Sequence, residues 1–256
     1  MPNTSSADGT TISYDRQGDG PPVILVLGAF NERATGAELA AFLASRFTVV
    51  NYDRRGRGTS SDTPPYAVER EIEDLAALID VVGGSACLFG YSSGAVLCLR
   101  AAAHGLAITR LALYDAPFQP AGTTPESWTD LARRLDDLVS AGRRGDAVEL
   151  FQTQAVGIPP DVVAKLRHAP FWPALERIAH TLVYESLILA SPAELPDAVT
   201  TPTLVMYGDA GPEPLRVAAP ALAERLPHGE LHAVTGEGHD LAPAALVPLL
   251  ERFYND

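Results

Sequence analysis

The segment Gly90-Tyr91-Ser92-Ser93-Gly94 leaves this chain little choice of local structure. It has the spacing G-x-S-x-G. The apolar run Ser85–Phe89 before it suits a buried strand, and the alanine-rich Ala95–Ala103 after it reads as a tightly packed helix. Passing from strand to helix in so few residues requires a sharp turn, and the two glycines let neighbouring backbone approach it without a Cβ clash. A serine at its apex is held in a strained conformation with its hydroxyl out at the sheet edge. The helix N-terminus points at any negative charge that develops there.

The rest of the chain repeats the same alternation. Asp8-Gly9 can turn a hairpin into a strand at Thr11–Arg16, and Val23–Leu27, between Pro21-Pro22 and Gly28, reads as a central buried strand. Ala37–Ala44 reads as a helix, Phe47–Tyr52 as a strand, Val68–Val82 as an amphipathic helix and Leu111–Tyr114 as a strand. Thr203–Tyr207 and Glu230–Val234 are later strands, separated by a helix through Leu222, and Leu241–Phe253 closes the chain as a helix. Strands alternating with helices predict an α/β fold, with a mostly parallel sheet of about eight strands covered on both faces. With 256 residues, 46% of them hydrophobic, there is material for one substantial core.

The alternation stops between Asp115 and Thr203. Pro125–Ala190 holds several helical patterns and no strand. A helical block inserted between the sixth and seventh strands of an open sheet is expected over the strand C-termini, where such sheets bind ligands. The division expected is therefore a core of 1–118 and 196–256 with a helical cap of 119–195.

Charge narrows the partners. The net charge of −13 and the lack of a dense Lys/Arg cluster argue against nucleic acid. No apolar run approaches the ~20 residues of a membrane span. Met1–Gly20 is polar and unlike a signal peptide, so a cytoplasmic protein acting on a small molecule is expected. Cys87 and Cys98 read as small buried apolar residues, and no metal-ligand spacing or nucleotide fingerprint appears, so no metal and no cofactor are expected. Oligomeric state is not legible.

Acyl transfer by a serine needs a base, a group to orient that base, and donors aimed at the oxyanion. Of six histidines only His239 follows the last expected strand, in the flexible Gly236-Glu237-Gly238-His239-Asp240. Together with Val23–Phe30, Asp53-Arg54-Arg55-Gly56-Arg57-Gly58-Thr59-Ser60 and Gly90–Gly94, this loop resembles the α/β-hydrolase superfamily, in particular its capped single-domain serine hydrolases common in actinobacteria. The resemblance implies the α/β-hydrolase fold, Ser92 as nucleophile, His239 as base and a structural role for Asp53, Arg54 and Arg55. It also implies backbone oxyanion donors from Ser93 and from Ala29, or from Phe30 if that loop shifts by one.

Two departures stand out. The triad acid common after the penultimate strand falls on Gly211, which leaves Asp115 as the favoured acid and Asp209 as the alternative. Leu27 replaces the histidine usual before Gly28. The function implied is cleavage of a small apolar carboxylic ester, thioester or lactone through an acyl-enzyme. The same residues could instead serve C–C hydrolysis, lyase or perhydrolase chemistry, and a ligand-binding protein with a degraded triad is a third reading. Phe30, Tyr91, Phe118, Trp128, Phe171 and Trp172 are the expected substrate-binding aromatics, with Phe171-Trp172-Pro173 as a lid surface.

Overall fold

A computed structural model describes residues 2–119, 122–191 and 195–255. A hairpin of β1 (Asn3–Ser5) and β2 (Thr11–Gln17) opens the chain, with Gly9 supplying the positive φ of +85° that its turn requires. There follow β3 (Pro22–Val26), α1 (Ala37–Leu43), β4 (Thr48–Tyr52), α2 (Val68–Val81), β5 (Ala86–Tyr91), α3 (Ser93–Ala103) and β6 (Ile108–Tyr114). The helical block comprises α4 (Pro125–Ser140), α5 (Arg144–Gln154), α6 (Pro160–Leu166), α7 (Trp172–Arg177) and α8 (Thr181–Leu189). After it come β7 (Thr203–Gly208), α9 (Glu213–Arg225), β8 (Gly229–Val234) and α10 (Pro243–Asn255). Residues 120–121 and 192–194 of the expected cap lie outside the described residues.

The eight strands form one sheet in the order β1-β2-β4-β3-β5-β6-β7-β8, parallel from β4 to β8, with β1 and β2 antiparallel. This matches the expected α/β architecture. Although β3 is apolar throughout, its side chains still divide with a period of two. Val23 and Leu25 pack with Leu39, Leu43, Leu246 and Leu250 of α1 and α10. Ile24 and Val26 pack on the opposite face with Leu75, Val96 and Leu222 of α2, α3 and α9. Trp128, Leu135, Phe151, Leu182 and Ile188 of the helical block join that second core, so the block shares apolar packing with the sheet.

Strand order fixes where a ligand can enter. From β3 the chain crosses to β4 on one side, and from β5 it proceeds to β6 on the other. The loops leaving β3 and β5 therefore diverge, opening a crevice at their C-terminal ends. Those loops begin at Gly28 and Ser92. No helix among the described residues is long and apolar enough to cross a membrane. Cys87 and Cys98 are buried and unpaired with each other.

Candidate active site

Ser92 sits at φ 55°, ψ −130° between β5 and α3, in backbone space that side-chain-bearing residues avoid at a cost of roughly 1–3 kcal/mol. Its N–H donates to the Tyr114 carbonyl at 3.0 Å, and its own carbonyl accepts the Ala95 N–H at 2.9 Å, so both sides of the turn are tied down. Steric room explains the glycines. A Cβ on Gly94 would stand 2.2 Å from the Val26 oxygen, and one on Gly28 would stand 2.8 Å from the Ser92 Cβ. Phe30 (φ 62°) and Asp115 (φ 51°) also take positive φ. Three loop residues of positive φ thus surround one crevice, the pattern expected where backbone geometry serves a site.

His239 reaches this crevice on the loop after β8. Its Nδ1 lies 2.8 Å from the Asp115 Oδ2. Asp115 is buried at the end of β6, and its Oδ1 accepts the Gly208 N–H at 3.1 Å. A carboxylate accepts, so Nδ1 is the donor in this contact, and a neutral imidazole held this way presents the Nε2 lone pair. An imidazole held this way can take a proton from a neighbouring hydroxyl.

Two tyrosines fix the His239 loop. Tyr91 donates its hydroxyl to the His239 carbonyl and lays its ring against the imidazole, centroids 5.0 Å apart, while Tyr114 donates to the Gly238 carbonyl at 2.8 Å. Burial, with the nearby Asp115 charge, raises both phenols well above their ordinary range and keeps them protonated as donors.

Asp209 has a different occupation. It is exposed, and its Oδ1 accepts the Gly236 N–H at 2.7 Å, bracing the turn after β8. The structure brings Asp115, and not Asp209, to His239. At Gly211 a Cβ would meet the Gly208 oxygen at 3.0 Å, a tight contact that glycine avoids.

A cavity of about 270 Å³ lies between the strand ends and the helical block, and Ser92, Ser93, Ala29 and His239 form its floor. Trp128, Phe151, Val156, Leu189 and Leu215 line its walls, with Gln154 and Thr123 as polar members. Among the described lining residues none carries Asp, Glu, Lys or Arg.

Of the six expected substrate-binding aromatics, this cavity contains Trp128. Tyr91 lies beneath His239, and Phe30 packs edge-on against Phe151 at 5.6 Å, behind the wall. Three expectations are corrected. Phe118 lines a separate groove along α9 with Val217 and Leu222. Trp172 is buried in the helical block because its indole N–H finds Glu176 one turn later, at 2.9 Å, and Arg167 covers the ring. Phe171, at the N-terminus of that short helix, is 48% exposed and forms no wall of the cavity. The expected lid surface at Phe171-Trp172-Pro173 is therefore elsewhere.

Behind the floor lies an ion cluster. Arg54 makes a fork with Glu71, both contacts 2.7 Å, and its Nη1 donates to Glu185 Oε1 at 2.8 Å and to the Leu27 carbonyl at 3.1 Å. Arg57 donates to the same Glu185 oxygen and to the Gly28 carbonyl, the latter at 2.8 Å. Burial by itself would raise the Glu185 pKa. The two guanidiniums and the Ser93 hydroxyl more than offset that, holding it below the ordinary glutamate range. Arg55 forms a parallel structural pair with Asp74 and Asp8. Arg57 and Glu185 escaped the sequence reading. The available signal was a lone acid in the otherwise uncharged helix Thr181–Leu189.

The oxyanion expectation needs one addition. The Ala29 N–H donates to the Ser93 Oγ at 2.9 Å, so this donor faces the cavity floor with a hydroxyl already on it. Ser93 opens α3, where a backbone N–H has no acceptor one turn back within the helix.

Comparison with known proteins agrees with this architecture. The model of a family described as "Alpha/beta hydrolase family" matches residues 23–249. A crystal structure of an alpha/beta hydrolase from Sphaerobacter thermophilus is 48% identical, covering 99% of this chain and 100% of that one with a TM-score of 0.89. A thermophilic esterase from Thermogutta terrifontis, 24% identical over 99% of this chain and 96% of that one, shares the fold with a TM-score of 0.75. Among curated proteins, an uncharacterized hydrolase of Bacillus subtilis, YraK, is 36% identical over 105 residues, which is 38% of this chain. The match spans about two fifths (39%) of that relative's length. On the matched family model and the full-length structural relative, this chain belongs to the alpha/beta hydrolase family.

Proposed function

We propose that the protein is a serine hydrolase that cleaves small uncharged carboxylic esters, and the related thioesters and lactones, through an acyl-enzyme. The observation that carries this reading is the 2.8 Å contact between His239 Nδ1 and Asp115 Oδ2, with His239 lining the same cavity as the strained Ser92. Ser92 Oγ attacks the carbonyl carbon as His239 Nε2 takes its proton, and Asp115 stabilises the imidazolium. The Ala29 and Ser93 backbone N–H groups receive the oxyanion, Ala29 sharing its hydrogen with the Ser93 hydroxyl. His239 then protonates the leaving alcohol, and water repeats the sequence on the ester formed at Ser92. In this reading the helical block is a cap whose apolar walls select the acyl group.

An apolar chamber of limited volume predicts a specific activity profile. Each added methylene that is buried contributes about 0.8 kcal/mol, so kcat/KM should rise roughly fourfold per carbon until the chamber fills, then fall. An acyl group ending in a carboxylate would bury an unpaired charge and should be slower by at least about 10²-fold than its neutral isostere. The test is hydrolysis of p-nitrophenyl esters of graded length beside the hemisuccinate. A folded protein that turned over none of them, or preferred the anionic ester, would remove this reading.

The two tryptophans separate wall from packing. Trp128→Ala should shift the preferred acyl length upward. Trp172→Ala should lower stability by about 3–5 kcal/mol while leaving the ratios between esters as they were. Thermal unfolding and the same ester series read both effects, and a changed length preference in Trp172→Ala would place that ring in the substrate path.

A further inference from the structure

The peptide joining Gly28 to Ala29 is planar and trans, so its C=O and N–H point in opposite directions. Whatever grips the Gly28 oxygen therefore aims the Ala29 N–H. The grip is Arg57 Nη1, at 2.8 Å, from a side chain only 1% exposed. Arg54 Nη1 holds the preceding carbonyl, Leu27, at 3.1 Å. Both guanidiniums converge on one carboxylate oxygen of Glu185, which belongs to α8 of the helical block and is fully buried. On the opposite side of the Gly28–Ala29 peptide, the Ala29 N–H donates to Ser93 Oγ at 2.9 Å, Ala29 and Ser93 both line the cavity, and the Ser93 hydroxyl also hydrogen-bonds Glu185.

We propose that Glu185 is a positioning residue for the oxyanion-binding loop: through Arg57 it clamps the Gly28 carbonyl so that the Ala29 N–H stays aimed into the cavity. The helical block thereby helps to build a hole whose donors, Ala29 and Ser93, both lie outside the block. This rests on the reading of Ser92 as nucleophile. Here two guanidiniums direct N–H groups at consecutive carbonyls of one loop, the loop that carries the expected donor. Hydrogen bonds to a carbonyl also polarise its peptide, making the N–H at the far end a better donor. Two buried carboxylates, Glu71 and Glu185, face the two guanidiniums, so the clamp holds without a net charge beside the developing oxyanion.

The test compares two ketones of the same acyl length. A trifluoromethyl ketone accepts Ser92 Oγ at its carbonyl carbon, with the serine proton passing to His239, and its oxygen becomes an anion in the hole. The corresponding methyl ketone binds in the same cavity without forming the adduct to a comparable extent. The ratio of their inhibition constants therefore reports the hole and is insensitive to the amount of folded protein. For Glu185→Gln and Arg57→Lys this preference should fall roughly 30- to 100-fold, with kcat reduced alongside and KM nearly constant. Arg57→Lys keeps the charge, but a single ammonium replaces the fork that spans Glu185 and Gly28, so it carries the test if Glu185→Gln fails to fold. A preference within about threefold of wild type in either folded variant overturns the clamp and leaves the hydrolase reading intact. Absence of any adduct on wild type overturns both.

Discussion

Ser92→Ala is expected to cut hydrolysis of a neutral ester by about 10⁶-fold in kcat while leaving substrate affinity within a few-fold. The reason lies in the division of labour at the crevice. His239 and the oxyanion donors remain in place without the hydroxyl, but no covalent path is left for them to assist. What remains is the modest acceleration that a preorganised hole gives to attack by water. The backbone should tolerate the change, because alanine meets at the strained φ of 55° the same penalty that serine already carries, so the variant should fold. Intact mass after exposure to a fluorophosphonate reads the result directly. Wild type should gain one adduct, and the variant none. An adduct that persisted in Ser92→Ala would place the reactive nucleophile elsewhere and sink the assignment.

The second large effect concerns the acid. Asp115→Asn should lower kcat by about 10⁴-fold, and Asp209→Asn by no more than a few-fold. Asparagine is well suited to the positive φ of 51° at position 115, so the backbone should be undisturbed. The Gly208 N–H needs an acceptor and will take the amide oxygen, which turns the amide NH₂ toward His239. Facing a donor, the imidazole must present a lone pair at Nδ1 and carry its proton on Nε2, the tautomer that cannot accept from Ser92. At position 209 the same replacement keeps an oxygen for the Gly236 N–H and changes nothing near the imidazole. If Asp209→Asn were the more damaging of the two, the role given to Asp115 would be wrong.

How much of this was legible beforehand depends on the range of the interaction. Strands β3 and β5 could be read because a short, nearly continuous apolar run between turn-formers is a local signal, and their boundaries moved by no more than two residues. The sharp turn at Ser92 could be read because its glycines answer a steric demand within the motif. Asp115 could be favoured over Asp209 because it directly ends an expected strand, where some branches of the superfamily it resembles place the acid, whereas Asp209 falls two residues early on its loop. The cavity walls were harder. Trp128 and Trp172 look equivalent in sequence, and which of them faces substrate is decided by how α4 and α7 pack, a relation between distant segments. Glu185 was hardest, since its partners lie 128 and 131 residues away and only the folded chain sets them around one oxygen.

The Glu185 cluster also bears on modular exchange of the helical block. In a chimera carrying another relative's helices between Pro125 and Ala190, Arg54 would keep Glu71 but lose half its support, and Arg57 would face dry interior with no counter-ion. Graft compatibility then depends on one acid in the right turn of the last inserted helix. A transplanted block that lacked it would fit the apolar surface and still leave a buried guanidinium seeking charge, a defect that shape matching alone would never detect.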